Sequence, residues 1–169
     1  MTTFKIGLGI ALMLSSGLSS AQTTQSLSAQ IGDIAFQSGD EEITLVPVDE
    51  SFSLSASTAG AASWPPPKTR VDRLSITCDG FKNGQTLVLD HKAFDRSTCS
   101  VSFFKGDKPM GGEPEATYQL DKDSVDNRFE ITRADGKVYE GRFQFQLKDA
   151  SGTPIKVSNG RFVIEDRQL

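Results

Sequence analysis

Apolar and polar residues alternate along most of this chain. The clearest run is Gly141 to Lys148, where Phe143, Phe145 and Leu147 alternate with Arg142, Gln144, Gln146 and Lys148. A period of two marks a strand with one face buried and one in water. Asn159-Gly160 follows, a dipeptide suited to a type I′ turn because both central positions there need positive φ. A hairpin at that point pairs Ser158 with Arg161. It sets Val157 opposite Phe162 and Ile155 opposite Ile164, so the apolar residues share one face.

The same beat recurs upstream. Strands are predicted near 70–78, 86–90, 99–104, 116–120, 127–133, 138–148, 154–158 and 161–166. Turn clusters such as Lys82-Asn-Gly, Lys105-Gly-Asp-Lys-Pro and Ala150-Ser-Gly separate them. A second hairpin is expected around Ala134-Asp-Gly136. A three-residue loop with Gly136 in the left-handed conformation would place Ile131 opposite Tyr139. The one helical turn predicted is His91 to Asp95. Many short strands at intervals of about 8–15 residues point to an all-β fold, an antiparallel β-sandwich of immunoglobulin-like or related meander or Greek-key type.

The N-terminal part is less regular. Residues 22–30 read as a loose arm. Ile31 to Phe36 is a weak strand. Glu42 to Val48 is a better one, and Pro47 within it suggests an edge or a bulge. Ser51 to Ala56 alternates Phe52 and Leu54 with serines. Ser57 to Lys68 is a small-residue stretch ending in Trp64-Pro65-Pro66-Pro67, which favours polyproline II and cannot enter a central sheet. It reads as a linker or long loop between the N-terminal strands and the main body, so that residues 22–68 form an N-terminal part with its linker and 69–169 the main body.

Residues 1–21 change the picture of the compartment. Lys5 precedes the apolar run Ile6 to Leu14, and Ser19 and Ala21 are small residues at signal-peptidase spacing. Nine apolar residues are too few to span a bilayer. The expectation is a signal peptide cleaved near Ala21, leaving 148 of the 169 residues. The protein would then be exported, either periplasmic or secreted to the medium. Neither cysteine lies near the cleavage point, which argues against a lipid-modified N-terminus. Loss of Lys5 leaves 17 basic and 22 acidic side chains, a net charge of about −5. A mildly acidic domain of mixed charge is not built for nucleic acid or an anionic membrane. After cleavage, no membrane span is expected.

Export makes the two cysteines candidates for one disulfide. Cys78 ends the run Leu74-Ser-Ile-Thr-Cys, and Cys99 opens Cys99-Ser-Val-Ser-Phe. Each shares parity with its apolar neighbours, so both should point inward and pair. Two cysteines without a nearby histidine make a poor metal site.

Catalytic constellations are not legible. His91 is the single histidine, it lies in a polar turn, and no serine is marked as its partner by a Gly-x-Ser-x-Gly elbow. Asp121-Lys-Asp123-Ser-Val-Asp126-Asn127 is oxygen-rich, but it lacks the glycine and terminal glutamate of a helix–loop–helix calcium site. Asp40, Glu41 and Glu42 read as protection for a sheet edge. A glycosidase needs two flanking carboxylates and usually aromatics for the sugar, and this chain has one Trp and two Tyr. No catalytic, cofactor-binding or metal-ligating residue is therefore assigned, and no cofactor is expected.

Trp64 with Pro65, Pro66 and Pro67 is the candidate interface. It is either an exposed patch that another protein recognises or a plug folded back over one end of the core.

The pattern Gly141-x-Phe143-x-Phe145-x-Leu147, then Gly152, then Val157-x-Asn159-Gly160-x-Phe162, resembles the closing strands of small secreted bacterial β-sandwich domains of unknown function. The resemblance covers about the last 95 residues and implies a fold without catalytic residues. The function expected is non-covalent binding at the cell envelope, with another envelope or secreted protein as partner. The alternative is a periplasmic inhibitor or immunity-type protein that blocks an enzyme with one loop. A hydrolase using carboxylates comes third.

Overall fold

A computed structural model describes residues 24–58, 60–65, 71–95, 99–107 and 113–167. The segment read as a signal peptide lies outside them, as do Pro66 and Pro67. The chain is all-β and antiparallel. Its strands are β1 (Ser26–Ile31), β2 (Ile34–Ser38), β3 (Ile43–Val48), β4 (Ser51–Ser57), β5 (Val71–Asp79), β6 (Leu87–Leu89), β7 (Cys99–Asp107), β8 (Ala116–Leu120), β9 (Arg128–Asp135), β10 (Val138–Lys148) and β11 (Pro154–Glu165). One short helix, α1 (His91–Asp95), falls where the predicted helical turn does.

The described strands join one sheet, with β2-β1-β11-β10-β8-β7-β5-β4-β3 as its main path. The long β10 has two neighbours on one edge. Its C-terminal end pairs with β8, and its N-terminal stretch pairs with β9, which carries β6. The sheet curls back on itself and is nearly closed, with β3 approaching β11 and β2 approaching β4, and ring pairs form across the interior between strands far apart in that order. Phe36 of β2 meets Phe103 of β7 at 6.3 Å, and Phe52 of β4 stacks on Phe129 of β9 at 5.1 Å. A single apolar core results. Phe94 of α1 is fully buried and meets Phe145 edge-on, so the helix caps the core with one ring.

Cys78 and Cys99 form the predicted disulfide. They are directly opposite on β5 and β7, and both are buried, as their parity requires.

The N-terminal arm is a correction. β1 is a paired strand between β2 and β11, with Leu27, Ala29 and Ile31 buried. Its alternation with Ser26, Ser28 and Gln30 is regular, but small residues make it faint. The weak strand at 31–36 is in fact the β1–β2 hairpin. Gly32 at φ 57° and Asp33 form its two-residue turn, and Ile31 pairs with Ile34. β4 pairs directly with β5, so the strands on either side of residues 58–70 are neighbours in one sheet.

The two hairpins predicted further along fare differently, and a β-bulge bears on each. Asn159-Gly160 is not a turn; it lies inside the continuous β11. Phe143 pairs with Gly160 and Phe145 with Val157, so β11 carries an extra residue there. That is a β-bulge, with Asn159 in the left-handed conformation at φ 55°. The bulge switches parity, which puts Val157, Phe162 and Ile164 on the buried face without reversing the chain. Gly160 is required there, since a Cβ would stand 2.5 Å from the Phe143 carbonyl oxygen. The predicted β9–β10 hairpin is present, with Gly136 left-handed at φ 61°, but its turn has two residues, Gly136-Lys137, which sets Asp135 opposite Val138 and Tyr139 opposite Ala134. A second bulge, at Thr132, then sets Ile131 against Gly141.

Candidate binding surface

The sheet does not quite close between β3 and the β1–β11 end, and side chains bridge the gap. Gln25 donates from its amide to the Asp40 carbonyl at 3.2 Å and the Ile43 carbonyl at 3.4 Å, and its oxygen accepts from the Glu165 backbone N–H at 3.0 Å. Arg167 grips the Asp40 carboxylate with two nitrogens, at 2.6 and 3.1 Å. That pairing, chiefly, holds the Asp40 carboxyl below its ordinary value, helped by the Gln25 backbone N–H. A groove of about 610 Å³ follows this seam, between Asp40, Thr44 and Val46 on one side and Glu165 and Arg167 on the other.

β3 is a terminal strand of the sheet, as Pro47 suggested. Among the described residues no strand pairs with its second edge. Asp40–Glu42 form a 3₁₀ turn just before it. Val46 and Val48 are exposed apolar residues on its outer face. A proline and adjoining carboxylates are usual protection of such an edge against indiscriminate pairing.

The loop after β4 rises beside the start of β3, because Ala56 pairs with Ile43. Glu42 accepts the Gly60 N–H at 2.6 Å. Thr58 exchanges two hydrogen bonds with the backbone of Asp72 on β5. Ser63 bonds back to the Gly60 carbonyl through both its N–H and its hydroxyl. The described part of this segment is therefore pinned at two points, and Trp64, which follows it, has 88% of its surface in water. Of the two readings of Trp64, the core plug is excluded. The Trp64–Pro65 bond is cis.

His91 is half-buried on α1 and shares a shallow depression with Asp123 and Ser124. Among the described residues it makes no hydrogen bond to either. The Ser124 hydroxyl instead accepts the Asp126 N–H. The oxygen-rich 121–127 loop is occupied by its own partners: Asp121 binds Lys148, Asp126 binds Lys156, and buried Asn127 bonds the Asp121 carbonyl and the Gln146 N–H. Among the described residues no cluster of three His, Cys, Asp or Glu could hold a metal ion, and no helix is long and apolar enough to cross a membrane.

One feature escaped the sequence reading. Glu130 of β9 is a buried carboxylate, bonded by Arg142 of β10 and by Arg128. The Arg142 hydrogen bond, above all, holds its carboxyl below the ordinary value, against the opposing effect of burial. Register alone places these residues together, and register is what the sequence left open here. Because the native value is lowered, the stabilisation from Glu130 is fully present above about pH 4.3 and is lost as pH falls through the native value. Glu130→Gln is expected to flatten the fall in urea midpoint between about pH 5 and about pH 3. A slope equal to wild type would assign acid sensitivity to other groups.

No protein-family model matches the chain, and neither a curated protein nor a solved structure is significantly similar to it.

Proposed function

We propose that this is an exported, non-catalytic binding protein of the cell envelope, and that it docks another envelope or secreted protein through Trp64. The observation that carries this reading is Trp64, exposed on a pinned loop. Large aromatics supply much of the contact energy at interface centres. A loop held in place beforehand loses little entropy when it docks. Export is supported by the apolar run behind Lys5, and a disulfide suits an oxidising compartment.

Trp64→Ala should leave the melting temperature within a degree or two of wild type, because the indole is almost fully exposed. Partner affinity should fall by about 2 kcal/mol or more. Emission from Trp64, the single tryptophan, should be that of a hydrated indole and readily quenched by iodide. Blue-shifted emission that iodide cannot reach, with a marked loss of stability in the alanine variant, would remove the basis for this reading.

A further inference from the structure

We propose a second site, an anion-binding groove on the outer face of β9–β10–β11, centred on Arg142 and Arg161, that takes an acidic segment of a peptide. Cross-strand register builds it. Arg142 lies directly opposite Glu130 on one side and Arg161 on the other, and Arg161 in turn lies opposite Ser28 of β1. Like charges directly opposite each other destabilise a sheet. Here the conflict is relieved on one side only. Glu130 takes Nε of both Arg142 and Arg128. Arg161 is exposed and has no hydrogen bond or ion pair among the described residues. Three guanidinium groups thus face one carboxylate, leaving two positive charges uncompensated on a chain whose net charge is −4.

The groove measures about 360 Å³ and is lined by Arg128, Arg142, Gln144, Asn159, Gly160 and Arg161. Its floor exists because of the β11 bulge. Gly160 carries no side chain and lies against the buried Phe143, and bulges re-aim the residues beside them. Glu130 holds Arg128 and Arg142 in place from below, so their remaining N–H groups stay available for a ligand.

The chemistry of the lining selects the class. Guanidinium forks match carboxylates in bidentate pairs. The amides of Gln144 and Asn159 can bond a peptide backbone. The groove's one aromatic ring, Phe143, is 3% exposed, so no flat surface is offered for stacking a sugar or a base. A segment with consecutive Asp or Glu side chains fits best. The inference is independent of the role given to Trp64.

The test is titration of hexaglutamate into the full isotope-labelled mature protein, followed by NMR. Signals from the Arg142 and Arg161 Nε–H groups and from the Gly160 amide should shift, and added salt should reverse the shifts. Arg161→Gln should weaken binding about tenfold, the equivalent of losing one charge-assisted contact. It should leave the melting temperature equal or slightly higher, because the repulsion with Arg142 is gone. Arg161→Lys should fall between. Arg133→Gln removes a charge elsewhere and should change affinity less than about twofold, and Trp64→Ala should not change it. Absence of shifts would overturn the proposal. So would an equal loss from Arg133→Gln, which would mean a diffuse charge effect, or tighter binding of oligogalacturonate, which would make the ligand an acidic sugar.

Discussion

Phe145→Ala is expected to lower stability by about 3–5 kcal/mol, the usual result of emptying an aromatic position in a packed core. Phe145 is completely buried at the middle of β10. Its ring stacks on Phe143 at 5.6 Å and receives Phe94 edge-on at 5.7 Å. It lies opposite Val157, just before the bulge. Truncation removes contacts to β10, β11 and α1 together, and strands paired on both sides cannot easily collapse into the space. Urea denaturation monitored by circular dichroism gives the value. A midpoint close to wild type would mean that the inner face of β10 has been assigned wrongly.

Loss of the Cys78–Cys99 link should cost about 3 kcal/mol, by the chain-entropy estimate for a loop of this size. The bond joins residues 21 apart, and the loop it closes contains Phe81, β6 and α1 with Phe94. These elements put two buried rings into the core while making few strand pairs of their own. Their docking therefore depends on the crosslink more than that of the long strands does. The Cys78→Ala/Cys99→Ala variant should show the loss in denaturant midpoint, and the oxidised protein should show no free thiol on alkylation and mass spectrometry. Two alkylated cysteines without reductant would contradict the pairing.

Strand positions were legible because alternation between apolar and polar residues is a local signal that burial imposes directly. From β5 to β10 the predicted ranges lie within a few residues of those observed, and the inward parity of Cys78 and Cys99 was enough to pair them. Chain reversals were harder to read. A parity switch has two physical causes, a turn or a bulge, and Asn159-Gly160 satisfies the backbone demands of either. Only the pairing with β10 decides, through Phe143 against Gly160. Gly32-Asp33, a genuine turn, was masked because Ile31, Ile34 and Phe36 look like one short apolar run. The edge position of β3 was readable from Pro47, since a missing N–H is tolerated at an edge. The exposure of Trp64 was not, because composition cannot say whether a loop folds inward. The arginine row was invisible for a similar reason, as Glu130, Arg142 and Arg161 are brought together only by register.

The central claim is that Trp64 sits where another protein docks. Site-specific photocrosslinking tests it most directly, with Trp64→p-benzoylphenylalanine in the full chain expressed in its native cells. Val125, which is also highly exposed but lies on a different loop, serves as the control position. Irradiation should give one discrete protein adduct from position 64 and none of that mass from position 125. No adduct at position 64, or the same adducts from both positions, would contradict the claim.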